Sequence, residues 1–225
     1  MKLTTMKHRV VLNSLSGLIH SDFNDLREVI DLTEQYLKKE AARLEKRVNK
    51  ELEGLSNEEE KEATIGWYAD DFNRLDKVYP IIQRRALFIT LMCMTEANLL
   101  RACRMCRSAY EIPKEFKKKG KERLIAQSLS YLQDHLTIRD KQLKPHWEFL
   151  QDLWTIRNGL VHNDGKPKSS ELNKVSQFCA SIPTFELDHH NRIILKEESV
   201  QMALRRVELF FMRLLAEIRR NKLPS

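Results

Sequence analysis

Glycine and proline are scarce, with six of each in 225 residues. So few chain breakers leave room for long helices, and the abundance of Leu, Glu, Lys, Arg and Ala favours a mostly helical protein. A glycine-rich phosphate loop is absent, which removes the usual nucleotide-binding signatures. Four cysteines (Cys93, Cys103, Cys106, Cys179) make no disulfide framework and indicate a reducing compartment. Cys103 and Cys106 have metal-like spacing, but no second Cys or His pair of zinc-ligand type accompanies them. They fall in an apparent helix and read as two small buried residues, so neither a metal nor a cofactor is expected.

Long apolar runs are missing too. The longest, Ala86 to Met94, is flanked by Arg84, Arg85 and Glu96 and falls far below the roughly 20 residues of a spanning helix. Lys2, Lys7 and Arg9 precede a weakly apolar stretch, Val10 to Ile19, which Asn13, Ser14 and Ser16 interrupt. No small-residue cleavage site follows, so a signal peptide is not expected. The expectation is a soluble, cytoplasmic protein that makes no membrane contact.

What the chain does have is charge. The net charge is +7 and the pI about 9.2. That balance suits an anionic partner such as RNA, DNA or a membrane surface. It equally suits a protein whose excess charge only keeps it soluble.

Residues 1–20 show no clear period and read as an extended or frayed lead-in. From Asp22 to Leu52 the apolar positions alternate at three and four, giving one long amphipathic helix that Gly54 ends. Ser56-Asn57-Glu58-Glu59 reads as a capping box opening a second helix up to Pro80. Residues 22–79 thus form a charged accessory hairpin, and 80–220 a core bundle, within a single domain spanning 1–225. Pro80 opens a third helix, Ile81 to Tyr110, the most buried of the set. The run Phe116 to Arg123 is a basic loop entering a short helix that carries Leu124, Ile125, Leu129 and Leu132. Pro145 begins the next helix, and Glu171–Ala180 suits a short one. Thr184–Leu187 and Arg192–Leu195 predict a β-hairpin across Asp188-His189-His190-Asn191. The two turn histidines have no carboxylate or cysteine cluster beside them and read as exposed rather than metal-binding. Val200 to Ile218 forms the last amphipathic helix. The fold class predicted is all-α: an up-and-down four-helix-type bundle, with an added N-terminal hairpin and a small C-terminal β-hairpin near 184–195.

The helix from Pro145 carries the one stretch where chemistry is expected. Leu150, Leu153, Leu160 and Val161 form an apolar stripe, and Arg157 falls within it. An arginine does not lose its charge, so a buried one needs a partner or an interface. Asn158 and His162 lie four apart on one face, one turn after Trp154. Asn163 and Gly165 suit a left-handed helix end.

Arg157-Asn158-Gly159-Leu160-Val161-His162 resembles the signature of HEPN domains: Arg, a polar residue, then His four to six positions on. The setting is similar as well, since the motif closes a late bundle helix and a loop, hairpin and final amphipathic helix follow. The resemblance covers about residues 80–220. It implies a four-helix bundle, commonly a homodimer with facing motifs, and often a metal-independent endoribonuclease of toxin–antitoxin or abortive-infection defence. Other members are catalytically silent RNA-binding or protein-interaction modules. Where the subgroup regulated by tyrosine nucleotidylation has Tyr, two residues after the histidine, this chain has Asp164, so that regulation is not implied.

On this reading the site residues are Arg157, Asn158 and His162. Metal-free RNA cleavage needs a base for the 2′-hydroxyl, an acid for the leaving 5′-oxygen, and positive charge for the phosphorane. His162 is the proton carrier, Arg157 the phosphate fork, and Asn158 an orienting group. One histidine cannot easily be base and acid together, and a two-fold dimer supplies a second. Lys117, Lys118, Lys119, Lys121 and Arg123 are candidate RNA phosphate contacts. A cognate antitoxin or regulatory protein is a further expected partner. The residues alone leave a bland reading open: His162 merely favoured at a helix C-terminus, and Arg157 paired with Asp152 or Glu148. An unrelated helical adaptor working through the 22–79 hairpin also stays open.

Overall fold

A 52-residue helix, α1 (Lys2–Glu53), opens the chain in the computed structural model, which describes residues 2–118, 124–136, 138, 141 and 143–220. Of the lead-in expected over 1–20, residues 2–20 are therefore helical instead. Leu12, Leu15, Ile19 and Phe23 recur at three and four and are buried, and Leu26 and Ile30 continue the same stripe. Val10 and Leu18 are apolar but exposed on the other side, and they blur the period.

After the turn at Gly54, α2 (Glu58–Asn73) is capped by Asn57, whose side chain accepts the Glu59 N–H at 3.0 Å; the cap is not Ser56. A π-helical turn, Arg74–Val78, joins α2 to α3 (Tyr79–Ala109) without a break. Pro80 has no N–H to give, so it sits where the chain has left α geometry, and the Tyr79 N–H reaches back five residues to the Arg74 carbonyl. Glu58–Ala109 is the one helix among the described residues with the length and apolarity of a membrane span. Phe88, Leu91, Met92 and Leu99 are fully buried within the bundle.

The remaining elements are α4 (Leu124–His135), α5 (Leu143–His162), α6 (Leu172–Ser181), the strands β1 (Phe185–Leu187) and β2 (Ile193–Leu195), and α7 (Ser199–Arg220). The strands pair antiparallel, with Phe185 opposite Leu195 and Leu187 opposite Ile193. Phe185 stacks edge-on against Phe88 and Phe178, which seats the hairpin on α3 and α6.

Four long helices, α1, α3, α5 and α7, pack in a ring with alternating direction. Ion pairs fix the antiparallel sense of α1 against both neighbours: Glu34–Arg84 and Asp22–Arg101 toward α3, Arg27–Glu208 and Lys38–Glu197 toward α7. This is the predicted up-and-down bundle with its C-terminal hairpin. Its membership differs from the expected 80–220, because α1 from Leu12 to Ile30 belongs to the same hydrophobic core as α3, α5 and α7. Only beyond that core do Leu37, Leu44 and Val48 bury against the returning chain. The outer hairpin is accordingly shorter than 22–79, and both of its helical arms are continuous with core helices, α1 directly and α3 through the π turn.

Candidate active site

Helix α5 brings Trp154, Arg157, Asn158 and His162 together on its last two turns. The Arg157 guanidinium lies 5.1 Å from the centroid of the buried Trp154 ring. Its Nη1 donates to Asn158 Oδ1 at 3.2 Å and approaches His162 Nε2 at 3.4 Å. A guanidinium only donates, so this contact needs the lone pair of an unprotonated Nε2. Arg157 is half-buried, and its Nε is buried with no hydrogen-bond partner among the described residues. Neither carboxylate considered for it is used: Asp152 pairs with Lys174 at 2.8 Å, and Glu148 with Lys144 at 3.8 Å. His162 is exposed.

The position of the imidazole depends on how α5 ends. Gly165 N–H bonds the Gly159 carbonyl at 3.1 Å, closing the helix with a left-handed turn at Asp164 (φ 54°) and Gly165 (φ 81°). Gly165 is left-handed as expected, but its partner is Asp164 rather than Asn163, and Asp is one of the few side chains that tolerates it. A Cβ at Gly165 would stand 2.9 Å from Arg85 Nη2, so α3 closes over the turn. Arg85 also donates to the Ile193 carbonyl at 3.3 Å, and Ile193 N–H bonds the Gly165 carbonyl at 2.8 Å. Arg192 pairs with Asp164 at 3.2 Å. The β-hairpin and α3 together lock the end of the motif helix.

Sequence reasoning missed Glu96. It lies on α3, half-buried, and burial raises its pKa, while the positive charges of Arg157 and Lys118 oppose the rise. It therefore shares its field with the motif arginine. Its only sequence signal is a carboxylate in an apolar helix, with nothing to connect it to Arg157. Lys118 of the basic run comes within the same field, and Lys117 is exposed. Lys119, Lys121 and Arg123 lie outside the described residues. His189 and His190 lie on the hairpin turn, exposed, with ring centroids 3.9 Å apart and the rings tilted by 45°. Among the described residues no three His, Cys, Asp or Glu side chains come together as a metal site. Cys103 and Cys106 are buried, and burial pushes both thiols up to about 12.

Comparison with family models, with curated proteins and with solved structures finds no match to this chain.

Proposed function

We propose that this chain is a HEPN-type endoribonuclease, metal-independent and cytoplasmic, that works as a homodimer in a toxin or defence role. One observation carries the reading. Arg157 is held against Trp154, Asn158 and the exposed His162, with no carboxylate in an ion pair with it among the described residues. A structural arginine in an apolar stripe would be locked in an ion pair with an acid; this one has Glu96 in its field but no ion pair among the described residues, and it keeps its donors beside a proton carrier.

In the reaction, His162 Nε2 takes the proton of a ribose 2′-hydroxyl, and the resulting alkoxide attacks the adjacent phosphorus. Protonating Nε2 ends its contact with Arg157 and frees Nη1 for a phosphorane oxygen. The 5′-oxygen leaves with a proton from the second protomer's imidazole, giving a cyclic phosphate and a 5′-hydroxyl. The dimer reading draws support from uncharged exposed surface on α5 and α3. Val161 is 39% exposed, and the outward stripe of α3 (Ile82, Ala86, Thr90, Cys93, Ala97) is exposed and carries no charge. Net charge of +7 and Lys118 beside the motif favour an RNA substrate.

The test is incubation of the purified protein with mixed RNA in EDTA. Wild type should cut and leave cyclic-phosphate ends, and a single deoxynucleotide should block its site. His162→Ala should lose about 10²–10⁴-fold in rate, and Arg157→Lys should recover little, because a point charge does not reproduce the fork. A wild-type protein that binds RNA without cutting, or a His162→Ala protein as active as wild type, replaces this reading with a non-catalytic RNA-binding or interaction module.

A further inference from the structure

Trp67 on α2 is 80% exposed, more than any other large hydrophobic side chain among the described residues. The seam by which α2 packs on the outer half of α1 runs through Thr64, Tyr68, Phe72 and Leu75. Trp67 is one residue off that seam, about 100° round the helix, so its face is left to solvent. Helical spacing places Glu60 and Ala63 before it, and Asp70 and Asp71 after it, on the same face. Ala63 is small and exposed, and nothing lies within 4 Å of where a Cβ would stand at Gly66. The indole therefore rises from small neighbours, with three carboxylates along the same face of the helix. Asp71 has a loose partner, Arg74 at 3.6 Å, while Glu60 and Asp70 make no ion pair among the described residues.

A lone exposed apolar side chain needs no explanation. An exposed indole with carboxylates on the same helix face is different, because its π face and the acids attract the same thing, a cation with an apolar stem. The surroundings sharpen the point. Glu58 to Val78 holds seven carboxylates against three basic side chains, in a protein whose net charge is +7. Acidic surface has been gathered on this one helix, and it repels nucleic acid.

We propose that the Trp67 face docks a basic amphipathic helix of a partner protein, with an apolar residue on Trp67 and Ala63 and arginines or lysines against Glu60, Asp70 and Asp71. The charge complementarity selects this occupant, and the inference is independent of any ribonuclease activity.

The experiment titrates the full chain into a labelled synthetic helix with leucines on one face and arginines along its flanks. A version with glutamate for arginine is the control. The arginine peptide should bind, more weakly as salt rises, and the glutamate peptide should not. Trp67→Ala should weaken binding at least about tenfold, as loss of an aromatic anchor does, whereas Trp67→Phe should stay within about threefold of wild type. The double variant Glu60→Lys, Asp70→Lys should lose at least about tenfold. All positions are exposed, and circular dichroism checks that each variant folds. Absence of binding, binding indifferent to Trp67→Ala, or equal binding of the glutamate peptide overturns the proposal. So does sedimentation showing a wild-type assembly that Trp67→Ala alone dissociates, which would put a second copy of this chain on the face.

Discussion

Replacing Gly159 by alanine tests how the motif helix is held. The new Cβ would stand 2.9 Å from Ile193 Cδ1, and 3.0 and 3.2 Å from the Lys166 carbonyl oxygen and carbon. The isoleucine methyl ends a flexible side chain and can turn aside. The carbonyl cannot, because its loop is tied on three sides. Gly165 N–H bonds the Gly159 carbonyl at 3.1 Å, Lys166 N–H the Asn163 carbonyl at 2.9 Å, and Ile193 N–H the Gly165 carbonyl at 2.8 Å. Alanine gains about 1 kcal/mol over glycine in a helix, and overpacking against fixed atoms costs about 1–3 kcal/mol. The two leave Gly159→Ala about 1 kcal/mol less stable, or about 2–4 °C lower in Tm for a chain of this size. Gly159→Val, with two more carbons in the same gap, should lose more than about 3 kcal/mol. Urea unfolding followed by far-UV circular dichroism measures all three proteins. If Gly159→Ala proves about 1 kcal/mol more stable than wild type, propensity has won, the loop is not pinned over the helix, and this account of His162's placement fails.

Glu96 and the buried thiols give two more checks. Because burial raises the Glu96 pKa, its ionised form is disfavoured in the folded state, and it lowers stability above its folded pKa. Glu96→Gln should therefore stabilise the protein near neutral pH, and the gain should vanish as pH falls through the folded pKa toward the ordinary carboxylate value. Denaturation at a series of pH values reads this, and a loss of stability at pH 7 would mean that Glu96 serves chiefly as the counter-ion of Arg157. Cys103 and Cys106, buried with thiols at about 12, should resist alkylation in the native protein and react only on unfolding. Mass spectrometry of partly alkylated protein decides it, and early labelling of Cys103 would mean that this part of the core opens.

The motif was legible because one helix carries it: Trp154, Arg157, Asn158 and His162 meet through spacings that any helix imposes. Glu96 was not, since it reaches Arg157 only through the packing of α3 on α5, which one-helix periodicity does not contain. The hairpin near 184–195 announced itself through β-branched and aromatic residues on either side of a polar turn. The start of α1 did not, although Leu12, Leu15, Ile19 and Phe23 keep helical spacing. Val10, Val11 and Leu18 add apolar positions around the helix, and a stripe visible in three dimensions dissolves in one. Pro80 misled in the opposite sense. A proline normally marks a helix boundary, but the π turn before it removed the bond that it would have broken.

That turn also sets how the outer hairpin is aimed. A π turn holds about one residue more than the α turn it replaces, so Arg74–Val78 is one residue of slack between the seam of α2 and the core face of α3. Forcing that turn into α geometry with no residue removed would swing everything outward of it by about 100°. Trp67 would then point in a new direction, while the seam along Thr64, Tyr68 and Phe72 would no longer face α1. Deleting one residue with the change would leave the bearing as it is. The hairpin's bearing on the bundle is thus indexed in whole residues, with no hinge to average an error away. Lengthening one arm without the other would misalign it in the same stepwise manner.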